Sequence, residues 1–207
     1  MLTSNSRELF PLASSLTYLN HGGFGATPST VLEEKKRILD EIEKNPSDFL
    51  THRIKAAWHQ VADKIAGRFK LEPGSLAIVD NATDGIEALL RAQCLKEGDE
   101  ILTTSMTYGA VAMAAQHIAE KQGARTKVAE LRFPDPDPQQ CIEAVARAMT
   151  RRTKLAILDH ITSATALLMP LKEMIAVCHN QGVPVVVDGA HAPGQLALDI
   201  SDLKADW

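Results

Sequence analysis

Gly182-Val183-Pro184-Val185-Val186-Val187-Asp188-Gly189-Ala190-His191 is the frame around which the remaining 197 of 207 residues are read. A short β-branched run between glycine and more small residues predicts a strand over 183–188, buried on both faces of a parallel sheet. Asp188 then stands at the strand's carboxyl end, where open α/β sheets place their ligands. A carboxylate at the rim of an apolar strand needs a partner that offsets its desolvation. A helix cap, an ion pair with Lys or Arg, a cationic ring nitrogen and a metal all meet that need.

Working upstream, the same rhythm recurs. The pattern predicts a strand over 154–159, a polar loop over 160–170 and a helix over 171–181. Before these come a strand over 125–131, a proline-rich loop over 133–138 and a helix over 139–150. Earlier still are a strand over 100–104, a loop over 106–109 and a helix over 110–122 closed by Gly123. The first unit is a strand over 76–80, the turn Asn81-Ala82-Thr83-Asp84-Gly85 and a helix over 86–95. Strands separated by helices of this length imply right-handed crossovers and a mostly parallel sheet covered on both faces, a three-layer αβα arrangement. The N-terminal part reads differently. Residues 1–17 are an irregular lead-in, and the glycines after Asn20 and His21 predict backbone with positive φ or a close approach. Thr27-Pro28 predicts the start of a helix, with Thr27 as cap and Val31, Ile38 and Ile42 inward, ending at Asn45-Pro46. A second helix over 47–69 carries Phe49, Ile54, Trp58, Val61 and Ile65 on one side, with His52 and Arg53 off that stripe. The divisions are therefore 1–17, a helical segment over 18–70, and an α/β domain over 71–207.

Bulk composition narrows the function. The chain is 45% hydrophobic and 23% charged with a formal net charge of −4, which offers no electrostatic footprint for nucleic acid. No apolar run approaches the roughly 20 residues of a membrane span, and the first ten residues lack a signal-peptide pattern. Cys94, Cys141 and Cys178 are scattered and odd in number, as expected for reduced thiols in a cytoplasmic protein.

Polar groups gather where the strands end. Asn81–Gly85 stands between strand and helix, where free N–H groups and the Thr83 hydroxyl suit a phosphate monoester; an ordinary helix cap is the alternative. Neither GxGxxG nor GxxxxGK[ST] occurs, so neither a dinucleotide nor a nucleoside triphosphate is the natural guest. Tyr108, after the 100–104 strand, has a ring able to lie on a planar heterocycle. Asp159, His160, Asp188 and His191 also raise a metal site, although no HxH, HExxH or DxD spacing supports one. A phosphate cradle, a stackable ring, hydroxyl and imidazole donors and a rim aspartate together describe pyridoxal 5'-phosphate. Its electron-sink chemistry depends on a protonated ring nitrogen, which a buried carboxylate maintains.

YLNHGGFGA over 18–26, NATDG over 81–85, Tyr108-Gly109-Ala110, HITSATA over 160–166, DGAHAPG over 188–194 and Ala205-Asp206-Trp207 stand in the order and spacing of class V aminotransferases. The chain resembles most the isopenicillin N epimerase-like branch, near the cysteine desulfurases, over nearly everything from Tyr18 to Trp207. This resemblance implies the large domain of a fold type I pyridoxal-phosphate-dependent transferase. It implies that Ala82 and Thr83 hold the phosphate, that Tyr108 stacks on the ring and that Asp188 binds the pyridine nitrogen. Ser163 and His191, the latter where the desulfurases have glutamine, would face the ring hydroxyl. Asn20, His21, Gly22 and Arg53 would line the substrate side. The implied activity is at the α-carbon of an amino acid: epimerase, aminotransferase or C–S lyase. The family's Schiff-base lysine is expected beyond Trp207, and Lys204 is not given that role. The expectation is thus of a truncated chain, inactive alone, whose full-length form adds a smaller C-terminal domain and is a homodimer. The competing readings are a non-catalytic or merely cofactor-binding half-domain, and a metal-dependent hydrolase using Asp159, His160, Asp188 and His191.

Overall fold

A computed structural model describes residues 6–134 and 137–207; Asp135 and Pro136 of the proline-rich loop lie outside the described residues, as do residues 1–5. The chain divides into two compact units, residues 1–64 and 65–207.

In the first unit, a 3-10 turn (Ser6–Leu9) leads through irregular chain to α1 (Ser29–Lys44). Thr27, predicted as the cap, stands one residue too early. Pro28 takes that position with extended backbone and no side-chain cap bond, so helical geometry begins at Ser29. Asn45 ends α1, and its side chain accepts from the Asp48 N–H to open the short α2 (Pro46–Asp48). The helix predicted over 47–69 is interrupted by a π turn (Phe49–Arg53) before α3 (Ile54–Arg68). Wider turns of this kind add a residue to the helical ladder and re-aim the turns after them. The apolar stripes of α1 and α3 are not buried: Val31 is 53% exposed and Trp58 51%. Periodicity identifies an apolar face but not what covers it.

The second unit is the parallel sheet. After α4 (Ala82–Ala92), β1 (Glu100–Thr104), α5 (Gly109–Lys121), β2 (Arg125–Ala129), α6 (Pro138–Ala148), β3 (Thr153–Asp159), α7 (Leu171–Asn180), β4 (Val185–Asp188) and α8 (Ile200–Leu203) come in turn. The strand order is β2-β1-β3-β4, with every pairing parallel. Alternation along each strand builds two cores. Ile101, Leu155, Ile157 and Val186 face α4 and α5 through Ile86, Leu90, Val111, Ala115 and Ile118. Leu102, Ala156, Leu158 and Val185 face α6 and α7 through Cys141, Val145, Leu171, Met174 and Cys178. Period-two alternation in a doubly covered sheet requires both sides to be apolar, which the continuous Leu-Ala-Ile-Leu and Val-Val-Val runs supply. Gly123, with φ +72°, turns the chain from α5 into β2, and an added Cβ would meet the Glu97 backbone at 3.5 Å.

The strand predicted over 76–80 does not form; the segment is irregular, and Val79 is 48% exposed. A strand exists only through bonds to a neighbour, and no described strand lies beside it. The outer edge of β4 is met instead by the C-terminal residues. Trp207 N–H donates to Val185 O at 3.2 Å and Val187 N–H to Trp207 O at 2.8 Å. Asp206 fastens this pairing by accepting from the Val185 N–H (2.8 Å) and meeting His179 Nε2 (2.9 Å). Burial raises the Asp206 pKa, but these bonds outweigh it and hold the carboxyl below its ordinary range.

At the opposite end of the sheet Glu100 is completely buried. Its Oε1 accepts from Arg125 Nη2 at 2.6 Å and Nε at 3.1 Å, and its Oε2 from the Thr150 hydroxyl at 2.6 Å. Among the described residues no helix is long and apolar enough to cross a membrane.

Candidate functional site

Parity places the acids. Residues 155, 157 and 159 of β3 share a face, as do 186 and 188 of β4. Asp159 and Asp188 are register partners across the two strands, so both carboxyls point to the α4–α5 side at the carboxyl end of the sheet. Both are buried, at 3% and 6% exposed. Asp188 Oδ1 accepts the Ala190 N–H at 3.1 Å, which sets the turn after β4. Asp159 Oδ2 has no hydrogen-bond partner and no contact with solvent. Burial, then the neighbouring Asp188 charge, push Asp159 up to about 7, offset only in part by the Thr107 hydroxyl and the Tyr108 N–H.

The helices on that face deliver the other groups. A short connection joins the end of α4 to the start of β1, so α4 runs antiparallel to the strands and its N-terminus lies toward their carboxyl ends. Asn81 is its cap, accepting from the Asp84 N–H at 2.9 Å and donating to Asp84 Oδ2 at 2.8 Å. The cap reading of this turn is therefore correct for Asn81, but it satisfies a single amide. The N–H groups of Ala82 and Thr83 and the Thr83 hydroxyl make no hydrogen bond among the described residues. Such groups at a helix start are suited to an anion. Tyr108 occupies the position before α5 and is 46% exposed as a residue, and its carbonyl accepts from the Ala112 N–H.

The remaining candidates are spread over two loops and the first unit. Ser163 is exposed in the turn after β3, which Thr162 ties by exchanging backbone and hydroxyl bonds with Leu167. His191 is half-buried after β4, and its carbonyl accepts from Gln195 Nε2 at 2.7 Å. In the first unit, Asn20 organises the glycine turn: Gly23 N–H reaches Asn20 Oδ1 at 3.3 Å, and a Cβ on Gly23 would lie 2.8 Å from that oxygen. Close approach, not positive φ, is what Gly23 supplies. His21, adjacent to Gly22, sets its ring against Tyr18 (4.9 Å) and Phe10 (5.3 Å). Arg53 pairs with Glu41 and lies over the Phe49 ring at 5.0 Å.

The metal reading does not gain a ligand set. His160 follows Asp159 and points the other way, lining a cavity of about 390 Å³ with Leu203 and Trp207; burial lowers its pKa. No group of three or more His, Cys, Asp or Glu is gathered among the described residues. Asp159 was visible in the sequence as a strand-end acid, yet its relation to Asp188 was not. The signal was there: two buried runs, Leu-Ala-Ile-Leu-Asp and Val-Val-Val-Asp, each end on aspartate.

The family model for aminotransferase class-V matches residues 17–207. The chain is 29% identical to isopenicillin N epimerase of Amycolatopsis lactamdurans over 99% of its own length and 52% of that protein's. It is 29% identical to the L-cysteine desulfhydrase of Arabidopsis thaliana over 91% of its length and 45% of the relative's. Among solved structures, a C-DES mutant with glycine covalently linked to its PLP-cofactor superposes with a TM-score of 0.84 at 29% identity, covering 97% of this chain and 53% of that one. The cystine C-S lyase C-DES with its product cysteine persulfide gives 0.86 at 29% identity, covering 93% and 52%. The chain thus spans about half the length of the curated relatives it matches. On a match that takes in all but its first sixteen residues, the chain belongs to the aminotransferase class-V family.

Proposed function

We propose that this chain forms the cofactor-binding part of a pyridoxal-phosphate enzyme acting at the α-carbon of an amino acid. The observation that carries the reading is a buried aspartate, Asp188, aimed from the end of β4 toward the face where α4 leaves two amides and a hydroxyl unpaired. That donor set fits the group: an anion receptor, an exposed aromatic ring and a buried acid. The names of the relatives, a cystine C–S lyase and an L-cysteine desulfhydrase, favour a sulfur-containing amino acid and C–S cleavage. Epimerisation and transamination begin at the same carbon.

In this reading the Ala82 and Thr83 N–H groups and the Thr83 hydroxyl hold the phosphate, aided by the α4 dipole. Asp188 accepts a charge-assisted hydrogen bond from the ring nitrogen and keeps it protonated. The Tyr108 ring covers one face of the heterocycle, and Ser163 and His191 meet its hydroxyl. Asn20, His21, Gly22 and Arg53 are the candidates for the substrate side. When bound, pyridoxal phosphate withdraws the electron pair left at the α-carbon.

Titration with pyridoxal phosphate, monitored by absorbance and fluorescence, tests the reading. Saturable uptake by the wild-type chain is expected. Thr83→Ala weakens it by about 1.5–3 kcal/mol, roughly ten- to a hundredfold, the worth of one hydrogen bond to a charged group. Unchanged affinity removes Thr83 from the phosphate site.

A further inference from the structure

We propose that Asp159 is the positioning residue for Asp188: the two form a carboxyl pair across β3 and β4 in which Asp159 contributes the hydrogen and Asp188 the charge offered to a ligand. The ligand's identity rests on the functional reading above, whereas the pair rests on the chain's own geometry. Register partners on parallel strands carry their side chains on one face at the spacing of neighbouring strands, so these acids stand side by side. Both are nine-tenths buried or more. Two carboxylates ionised together in such a place repel each other, so one holds its proton well above the ordinary aspartate range.

The unpartnered oxygen says which. Asp188 already has an N–H donor at Oδ1. Asp159 Oδ2 faces no donor at all, which is costly for an anionic oxygen but appropriate to a protonated one. As a donor it has the neighbouring carboxylate to give to, and that bond fixes the rotamer of Asp188 and leaves one negative charge at the strand ends. The raised Asp159 pKa agrees in direction. From β4, Asp188 is the charged group acting on it; from the loop before α5, only the neutral Thr107 hydroxyl and Tyr108 amide do. His160, its chain neighbour, is held toward the neutral form by burial.

The test uses the full chain with side-chain ¹³C-labelled aspartate, first without cofactor. NMR titration is expected to show one carboxyl signal, absent from D159N, with its midpoint near 7. In D188N that midpoint falls by at least about one pH unit, because the like charge is gone. A midpoint in the ordinary aspartate range, or one indifferent to D188N, overturns the pair. Pyridoxal phosphate is then added. D159A, which removes the donor, weakens uptake about tenfold, while D159N, which keeps a neutral donor in the same place, restores it to within about threefold of wild type. Equal weakening by both variants overturns the neutral-donor role. A chain that shows the paired titration but takes up no pyridoxal phosphate overturns the ligand assignment and the positioning role, and leaves the carboxyl pair standing.

Discussion

On the proposed function, Asp188→Ala is expected to lower kcat/KM on the order of a thousandfold or more, about 4 kcal/mol of transition-state stabilisation, with the fold retained. The size stems from the role. On the functional reading above, a carboxylate that keeps a ring nitrogen protonated acts on every turnover, and Asp188 is the buried acid that carries the charge at the ends of β3 and β4 once Asp159 holds its hydrogen. The retained fold stems from its contacts. In the fold, Asp188 accepts the Ala190 N–H and, in the proposed pair, the Asp159 hydrogen, so its removal costs about 1–3 kcal/mol of stability. Steady-state kinetics paired with thermal melting separates the two effects. Wild-type activity in the variant sinks the ring-nitrogen role, and a collapsed melting transition makes the acid structural instead.

Arg125→Ala is expected to be the most damaging change away from the candidate site. It strips both guanidinium bonds from Glu100, which has no exposure to water and keeps only the Thr150 hydroxyl. Leaving one partner of a buried ion pair uncompensated costs about 3–5 kcal/mol; the lower end applies because the Arg125 side chain itself is 61% exposed. For a chain of this size about 3 kcal/mol lowers Tm by roughly 6–12 °C. The sign with pH is fixed. In the wild-type fold burial raises the Glu100 pKa, but bonds from Thr150 and Arg125 outweigh it and leave the pKa lowered. Its contribution is therefore present above the unfolded value and lost as pH falls through the folded one. The gap between wild type and variant should be full at neutral pH and close on acidification below about 4. A gap that persists at pH 3 means the arginine stabilises by packing its stem, not through the acid.

Much of the second unit was legible because its signals are local. The boundaries of β1 were read at 100 and 104, as observed, since Gly98 and the threonines bracket a short apolar run. The helix expected over 86–95 exists but runs from Ala82 to Ala92: Asn81 caps it through the Asp84 N–H, so the residues expected as a turn are its first turn. The failures share a different cause. Residues 76–80 have strand composition, yet a strand needs a neighbour that composition does not supply. Trp58 and Val61 lie on a helical stripe, yet a stripe does not name its cover. Asp159, His160, Asp188 and His191 raised a metal site because acids and imidazoles follow two strands; the fold gathers no group of three or more such ligands among the described residues.

From its residues alone this chain declares strand–helix alternation, doubly buried parallel strands, acids at strand ends and a polar turn ahead of a helix, because each depends on interactions spanning a few positions. Only the tertiary structure decided that Asp159 and Asp188 share a face, that Trp207 pairs with the edge of β4, and that Glu100 rests between Arg125 and Thr150. Register between strands far apart in the chain is set by how two cores pack simultaneously against α4–α5 and α6–α7, and no stretch of sequence carries that information by itself.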